Sequence, residues 1–377
     1  MSGIYIHIPF CRKKCAYCDF YSVGEGFGTE RFTQILIHEL ELRKNYLETI
    51  NNSIETIYLG GGTPSLLIID EVEQILSSIK RTFPVVQNAE VTMEVNPDDL
   101  SREYLFSLRK KGVNRLSIGI QSFSDTDLTF LGRRHNAQSA IESVKMAQDA
   151  GFDNISIDLI YGIPSSSNEI WEENLKTAFS LNIQHLSCYH LTIEPLTALY
   201  RKWQKGTVNP ISEEQSVAQF NILCEMAAKH EFEHYEVSNL CKPKYESKHN
   251  SAYWKGIPYL GLGPSAHSYN SVSRCWNPAS ISVWAEAIEK GISPAETEIL
   301  TEKDMLNEYL MVSLRTAWGI DCYEIEEKFG VKNSIRIKEI AKKYIENSSM
   351  LFNGSRISIN PSHFFVSDSI ILDFIEE

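Results

Sequence analysis

Cys11, Cys15 and Cys18 fall within eight residues in the pattern C-x3-C-x2-C. Thiolates are the ligands that zinc and iron–sulfur clusters favour, and a purely structural site asks for four of them. Only three are local here. A cubane held by three thiolates keeps one iron open, and an open iron can chelate a small molecule and pass it an electron. The same spacing admits a structural zinc completed by His7 or a distant cysteine, or three unconnected core thiols. The other five, Cys188, Cys224, Cys241, Cys275 and Cys322, are scattered. That distribution suits a metal site plus ordinary thiols, not a disulfide framework.

Six short apolar, β-branched segments are spaced along the first half of the chain: 4–9, 56–59, 91–95, 115–120, 154–160 and 185–192. Each precedes a polar or glycine-rich turn and a helix-length stretch, among them 31–47, 70–82, 101–111 and 138–150. Strand, turn and helix in that order predict an α/β fold with a parallel sheet covered by helices. Six units fall short of the eight that close a TIM barrel, so the expected architecture is a partial (β/α)6 TIM-like barrel or an open sheet. In such folds chemistry collects at the carboxyl ends of the strands. Those positions hold the cysteines, Gly60 to Thr63, Glu94, Gln121, Asp158, Thr192 and Glu194.

After about residue 200 the rhythm changes. A helix is expected over 213–230, and 235–263 is rich in aromatic residues, Lys, His, Gly and Pro without clean periodicity. From 293 a small, mainly helical, winged-helix-like module is expected: helices at 302–316, 321–329 and 333–347, then a strand pair at 351–359 turned at Asn353 and Gly354. The working division is 1–235, a connecting segment 236–292, and 293–377.

The chain has 377 residues, 43% of them apolar and 23% charged, which excludes a disordered or fibrous chain. Its net charge of −13 argues against broad binding of nucleic acid or anionic lipid. No apolar run reaches the roughly 18 residues of a membrane span, and residues 1–5 offer no signal-peptide pattern, so the expectation is cytoplasmic.

The run Tyr5-Ile6-His7-Ile8-Pro9-Phe10-Cys11, continued by Cys15-Ala16-Tyr17-Cys18, resembles the radical S-adenosylmethionine superfamily, whose members bind a 4Fe-4S cluster through this spacing. Gly60-Gly61-Gly62-Thr63-Pro64 matches its glycine motif, in which glycines permit close approach of the chain to the methionine amino group of the nucleotide. Residues 119–123, 154–164 and 261–266 look like the oxygen-independent coproporphyrinogen III oxidase family, which holds a partial six-unit barrel and an α-helical C-terminal domain. The resemblance implies cofactor contacts from Tyr5, Tyr17, Gly61, Gly62, Thr63, Glu94, Gln121, Arg133, Asp158, Thr192 and His267. Plainer roles stand beside these: Tyr5 and Tyr17 as core aromatics, Gln121 and Thr192 as strand-end caps, Arg133 as a solvated partner of Arg134, His267 as a structural histidine. Glu94 and Asp158 have apolar neighbours, and a carboxylate there needs a partner to offset desolvation.

Two branches share this scaffold. The oxidase branch carries a fourth cysteine two residues after the third, where this chain has Phe20, and a longer N-terminal arm, whereas Tyr5 lies almost at the start here. His249-Asn250-Ser251-Ala252-Tyr253-Trp254 matches the H-N-x-x-Y-W motif of the HemW-type haem chaperones, whose histidine is linked to haem binding. Imidazole is a common axial ligand of haem iron, and Tyr and Trp rings can pack on a porphyrin. The resemblance therefore implies haem binding by His249, Asn250, Tyr253 and Trp254, delivery to respiratory haem proteins, and an electron donor for the cluster. Coproporphyrinogen III oxidase and a structural zinc protein are the alternatives. The sequence leaves peripheral membrane contact open.

Overall fold

The computed structural model describes residues 2–24, 26–47 and 53–376. β1 (Ser2–Ile8), β2 (Ile54–Gly61), β3 (Val85–Val95), β4 (Arg115–Gln121), β5 (Ile155–Tyr161) and β6 (His185–His190) lie side by side in chain order, all parallel. The connections carry α1 (Thr29–Leu42), α2 (Ile69–Thr82), α3 (Arg102–Lys111), α4 (Asp125–Leu131), α5 (Ala137–Asp149) and α6 (Asn168–Ser180), and α7 (Ala198–Gln204) and α8 (Glu213–Lys229) follow β6. Local chemistry sets these bounds. Ser101 and Ser167 cap the first turns of α3 and α6 by accepting from the backbone N–H groups of Tyr104 and Ile170, and Gly112 ends α3 in the left-handed region.

Successive strand residues point to opposite faces. Ile4, Ile6, Ile8, Ile57, Leu59, Met93, Val95, Leu116, Ile118, Ile155, Ile157 and Leu159 belong to one buried apolar core shared with the helices. The intervening positions are Tyr5, His7, Thr56, Tyr58, Glu90, Thr92, Glu94, Arg115, Ser117, Ser156 and Asp158. Parallel strands covered on both faces usually read as continuous apolar runs. Here the second face is polar.

The sheet is larger than the six expected strands. β7 (Glu233–Glu236) and β8 (Asn239–Cys241) extend it beyond β6, with β8 antiparallel to β6. On the other side β9 (Tyr259–Leu262) runs parallel to β1, and β10 (His267–Tyr269), β11 (Ser273–Trp276) and β12 (Glu296–Ile299) continue antiparallel to a total of twelve strands. Several are only three or four residues long, too short to display a two-residue period, which is why 235–263 shows no clean pattern. α9 (Lys248–Trp254) and α10 (Ile281–Glu289) lie among them. The remainder is α11 (Glu302–Ser313), β13 (Ile320–Asp321), α12 (Cys322–Phe329), α13 (Val331–Glu346), β14 (Met350–Asn353), β15 (Arg356–Ile359) and α14 (Ser367–Leu372), with a separate sheet in the order β13-β15-β14. Gly354, at φ 66°, turns the β14–β15 hairpin.

A buried charge knot fastens the added strands to α1. Glu39 accepts from Arg43 (3.3 Å) and Asn277 (2.6 Å) on one oxygen, and from the Gly263 N–H (2.7 Å) and Trp284 Nε1 (3.0 Å) on the other. Arg43 in turn donates to the Gly261 carbonyl, Ser268 and Cys275. Removing one partner strands the other in a dry site. Glu39→Ala is therefore expected to lower the unfolding free energy in urea by about 3–5 kcal/mol, and a loss below about 1 kcal/mol would show the knot to be incidental.

Candidate functional site

Residues at the carboxyl ends of β1 to β6 line one cavity of about 370 Å³. It collects Cys11, Cys15, Cys18, Tyr17, Gly61, Gly62, Thr63, Glu94, Gln121, Arg133, Asp158 and Thr192 from separate stretches of sequence. Two expected members lie elsewhere. Tyr5 sits deeper on the polar face of β1, with its hydroxyl 3.2 Å from His7 Nδ1, and His267 is exposed on β10. Tyr58, Asn96 and Ser117 were not singled out in the sequence, yet they support the site. Their signal is the alternation of polar residues along strands that otherwise read as core.

The cysteine loop is fixed by backbone bonds. Cys11 N–H donates to the Val23 carbonyl, Val23 N–H to Pro9, Ala16 N–H to Leu131, and Leu199 N–H to Ala16. Thr63 Oγ1 lies 3.5 Å from Cys11 Sγ, and Arg133 Nη1 donates to Cys15 Sγ at 3.3 Å. Burial pushes the Cys18 thiol up to about 11. Among the described residues no three His, Cys, Asp or Glu side chains converge on a single ion. His7, one fourth ligand considered for zinc, is buried with Nε2 on the Tyr21 carbonyl at 2.9 Å and Nδ1 on Tyr5.

The glycine motif makes a close approach, but to the chain itself. Gly61 has φ 103°, and a Cβ there would fall 2.6 Å from His7 Nδ1. A Cβ on Gly62 would fall 2.7 Å from the Phe10 carbonyl oxygen and 2.8 Å from that of Ile8. The glycines thus let the turn after β2 press against the root of the cysteine loop. Gly62 N–H donates to Ile8 (2.8 Å), and Gly61 N–H donates to Glu94 (3.1 Å).

Glu94 and Asp158 share the cavity wall. Burial pushes Glu94 up to about 7; the Tyr58 hydroxyl, donating at 2.8 Å, opposes this, Asp158 adds to it, and the Gly61 N–H opposes it. Asp158 is raised by burial, against hydrogen bonds from Ser187 and Ser117 and the charges of Arg115 and Arg133. Burial works against the charge of Arg133, but Tyr17 and Cys15 outweigh it and hold that group above the usual arginine range. Its Nη2 also donates to Asn96 (2.5 Å) and the Gly119 carbonyl (2.6 Å). This makes it a fixed counter-charge beside the thiols, not a solvated partner of Arg134. Gln121 holds φ 70°, a conformation that costs a non-glycine residue of order 1–3 kcal/mol and is concentrated at binding sites.

The H-N-x-x-Y-W residues form α9, and α9 covers the amino ends of the strands, opposite the cysteines. Lys248 and His249 N–H groups donate to Glu90 (3.2 and 3.1 Å), and His249 Nδ1 pairs with Thr56 Oγ1 (2.8 Å). Nε2 of His249 pairs with the Tyr253 hydroxyl (2.8 Å), one helical turn on. The ring is 1% exposed, and burial, with Arg115 adding, lowers its pKa to about 3. Both nitrogens are committed, so an external ligand reaches His249 only if α9 moves. Asn250 is half-buried and its N–H closes the Ser247 cap, while Trp254 is half-buried with Nε1 lacking a partner among the described residues.

Two substitutions read the site. Gly62→Ala is expected to displace the cysteine loop, because the obstructing atoms are backbone; iron bound per chain after reconstitution should fall while far-UV circular dichroism is unchanged, and full iron loading would contradict this. For Glu94 the folded pKa lies above the unfolded value, so the wild type loses stability as pH rises from about 4.5 to about 7. Glu94→Gln avoids that loss. In urea it should exceed the wild type by up to about 3 kcal/mol at pH 8, with the gap closing toward pH 5; a gap independent of pH would contradict the assignment.

The Radical SAM superfamily model matches residues 5–178. The heme chaperone HemW of Bacillus subtilis is 35% identical over 88% of this chain and 87% of its own length; that of Lactococcus lactis is 32% identical over 99% and 97%. Coproporphyrinogen III oxidase (HemN) from Escherichia coli superposes with a TM-score of 0.85 at 20% identity, over 99% of this chain and 89% of that one, which shows a shared fold. The superfamily implies a 4Fe-4S cluster and S-adenosylmethionine. The three thiols, the buried carboxylates Glu94 and Asp158, and the Arg133 guanidinium around one cavity suit that pair: thiolates for iron, carboxylates for a cationic nucleotide, and a counter-charge for the thiolates. The chain belongs to the HemW family of the radical S-adenosylmethionine superfamily.

Proposed function

We propose that this protein is a haem chaperone that binds haem and, with a 4Fe-4S cluster and S-adenosylmethionine, delivers haem to respiratory haem proteins. What carries the reading is its near whole-chain likeness to proteins named heme chaperone HemW, strengthened by the intact H-N-x-x-Y-W sequence on α9. Phe20 at the position of the oxidase's fourth cysteine weighs in the same direction. It is 63% exposed at the cavity rim, so no thiol stands there to act on a ligand.

Cys11, Cys15 and Cys18 would hold the cluster, and Tyr17, Gly61, Gly62, Thr63, Glu94, Gln121, Arg133, Asp158 and Thr192 the nucleotide, while Tyr5 and His267, which the resemblance adds, do not line the cavity. When bound, the pair supplies one-electron chemistry, for which an electron donor is a required partner. Glu94, poised near neutrality, can hold or release a proton at the cavity wall. Arg133 stabilises the charge at Cys15. His249, Asn250, Tyr253 and Trp254 form the haem site once α9 releases His249 from Thr56 and Tyr253. In this reading 1–235 carries the cofactor face, 236–292 the haem motif, and 293–377 the helical remainder.

Anaerobic haem titration of the reconstituted protein tests the reading. The wild type should give a shifted Soret band and tight binding, His249→Ala should lose at least tenfold in affinity, about 1.4 kcal/mol, and Cys11→Ala should still bind haem without a complete cluster. Unchanged spectra and affinity in His249→Ala would remove the proposed haem site.

A further inference from the structure

α9 contributes nothing to the cavity wall, yet it is joined to it by two continuous side-chain paths. In the first, the His249 ring stacks on Tyr58, with centroids 5.1 Å apart and planes at 25°, and the Tyr58 hydroxyl donates to Glu94 Oε1 at 2.8 Å. The other oxygen of Glu94 takes the Gly61 N–H. In the second, Tyr5 stacks on His249 at 6.4 Å and reaches His7, whose ring packs against Gly61. Both paths end at the corner formed by Gly61 and Glu94. His249 itself cannot rotate freely, since Thr56 and Tyr253 hold its two nitrogens.

We propose that His249 is a positioning residue for the nucleotide site at the opposite end of the strands: by fixing the ring of Tyr58 it fixes the carboxylate of Glu94, and so sets affinity for S-adenosylmethionine. The inference rests on the cofactor reading above and is independent of whether His249 ever ligates haem. It gives the aromatic motif a task in the closed arrangement, where its histidine has no free nitrogen. A double hydrogen bond to Glu94, from Tyr58 and from Gly61, fixes the carboxylate at the cavity wall and favours its ionised form. Loss of the stacked imidazole releases the Tyr58 ring, weakens the hydroxyl bond, and makes Glu94 easier to protonate.

The test is equilibrium binding of radiolabelled S-adenosylmethionine to anaerobically reconstituted, haem-free protein between pH 5.5 and about 9, a range chosen to bracket the Glu94 midpoint. The groups facing Glu94 are Tyr5 on β1, Tyr58 on β2, Arg115 on β4, Asp158 on β5, Tyr189 on β6 and Tyr253 on α9. Of these, Asp158 is the other carboxylate, and Asp158→Asn shows which part of the profile belongs to it. Wild-type affinity should fall as pH drops through the Glu94 midpoint near 7. Tyr58→Phe should move that midpoint upward by about one pH unit, weakening binding about fivefold at pH 7. His249→Ala should do the same in the wild-type background and nothing further in the Tyr58→Phe background. Thr56→Val, which removes only the bond to Nδ1, gives a smaller shift in the same direction and serves if His249→Ala does not fold. Equal shifts from the histidine change with and without the Tyr58 hydroxyl, or none in either, overturn the inference. No binding by the wild type removes the cofactor reading and this inference with it, whereas wild-type binding with an additive cycle removes only the inference.

Discussion

Six parallel strands carry apolar side chains on one face and ionisable ones on the other, and the cost of burying that second face shapes the rest of the molecule. An isolated buried carboxylate or imidazolium is costly to keep charged. Three of the ionisable groups on the inner face are met by partners, Glu94 by Tyr58 and Gly61, Asp158 by Ser117, and His249 by Thr56 and Tyr253, whereas the buried Nε of Arg115 has no partner among the described residues. Where a neutral form is cheaper, the group takes it, as the depressed His249 does. The polar face is therefore held largely by paired side chains, and the proposed coupling between its two ends runs through those pairs.

The pairs divide the inner face into two ends with different chemistry. At the carboxyl ends, loops carry three thiols, and the fold holds Arg133 beside them through Asn96 and the Gly119 carbonyl. At the amino ends a two-turn helix, α9, closes the opening and buries its histidine. Glu39 and Arg43 on and beside α1 tie down β9, which pairs in parallel with β1. Stability and site geometry thus share residues: glycines are needed at Gly61, the last residue of β2, and at Gly62 because His7, Ile8 and Phe10 already occupy the space a side chain would take.

Much of this was legible in the chain. The six strand segments, the cysteine loop and the strand-end rule together selected most of the cavity wall, because each is a local signal with a fixed geometric consequence. The extra strands were not legible, since three- and four-residue strands such as β8 and β10 carry no measurable period. Nor was the placement of α9 at the amino ends: its sequence names the residues, but only the long-range pairing of His249 with Thr56 and Glu90 shows which end of the sheet they close. Tyr58 and Ser117 were hidden for a related reason. Their role depends on which face of a strand they occupy, and that becomes visible only when neighbouring strands are aligned. Tyr5 and His267, expected on the cavity wall, do not line it.

The central claim is that three cysteines at the carboxyl ends hold a cubane with one iron left open to S-adenosylmethionine. Electron–nuclear double resonance on the reduced, reconstituted protein with S-adenosylmethionine labelled with 15N at the amino group and 17O at the carboxylate tests it most directly. The account predicts a 4Fe-4S signal that acquires 15N and 17O couplings when the nucleotide is added. A cluster signal with no such coupling, or a protein that takes up zinc and no iron or sulfide, would contradict it.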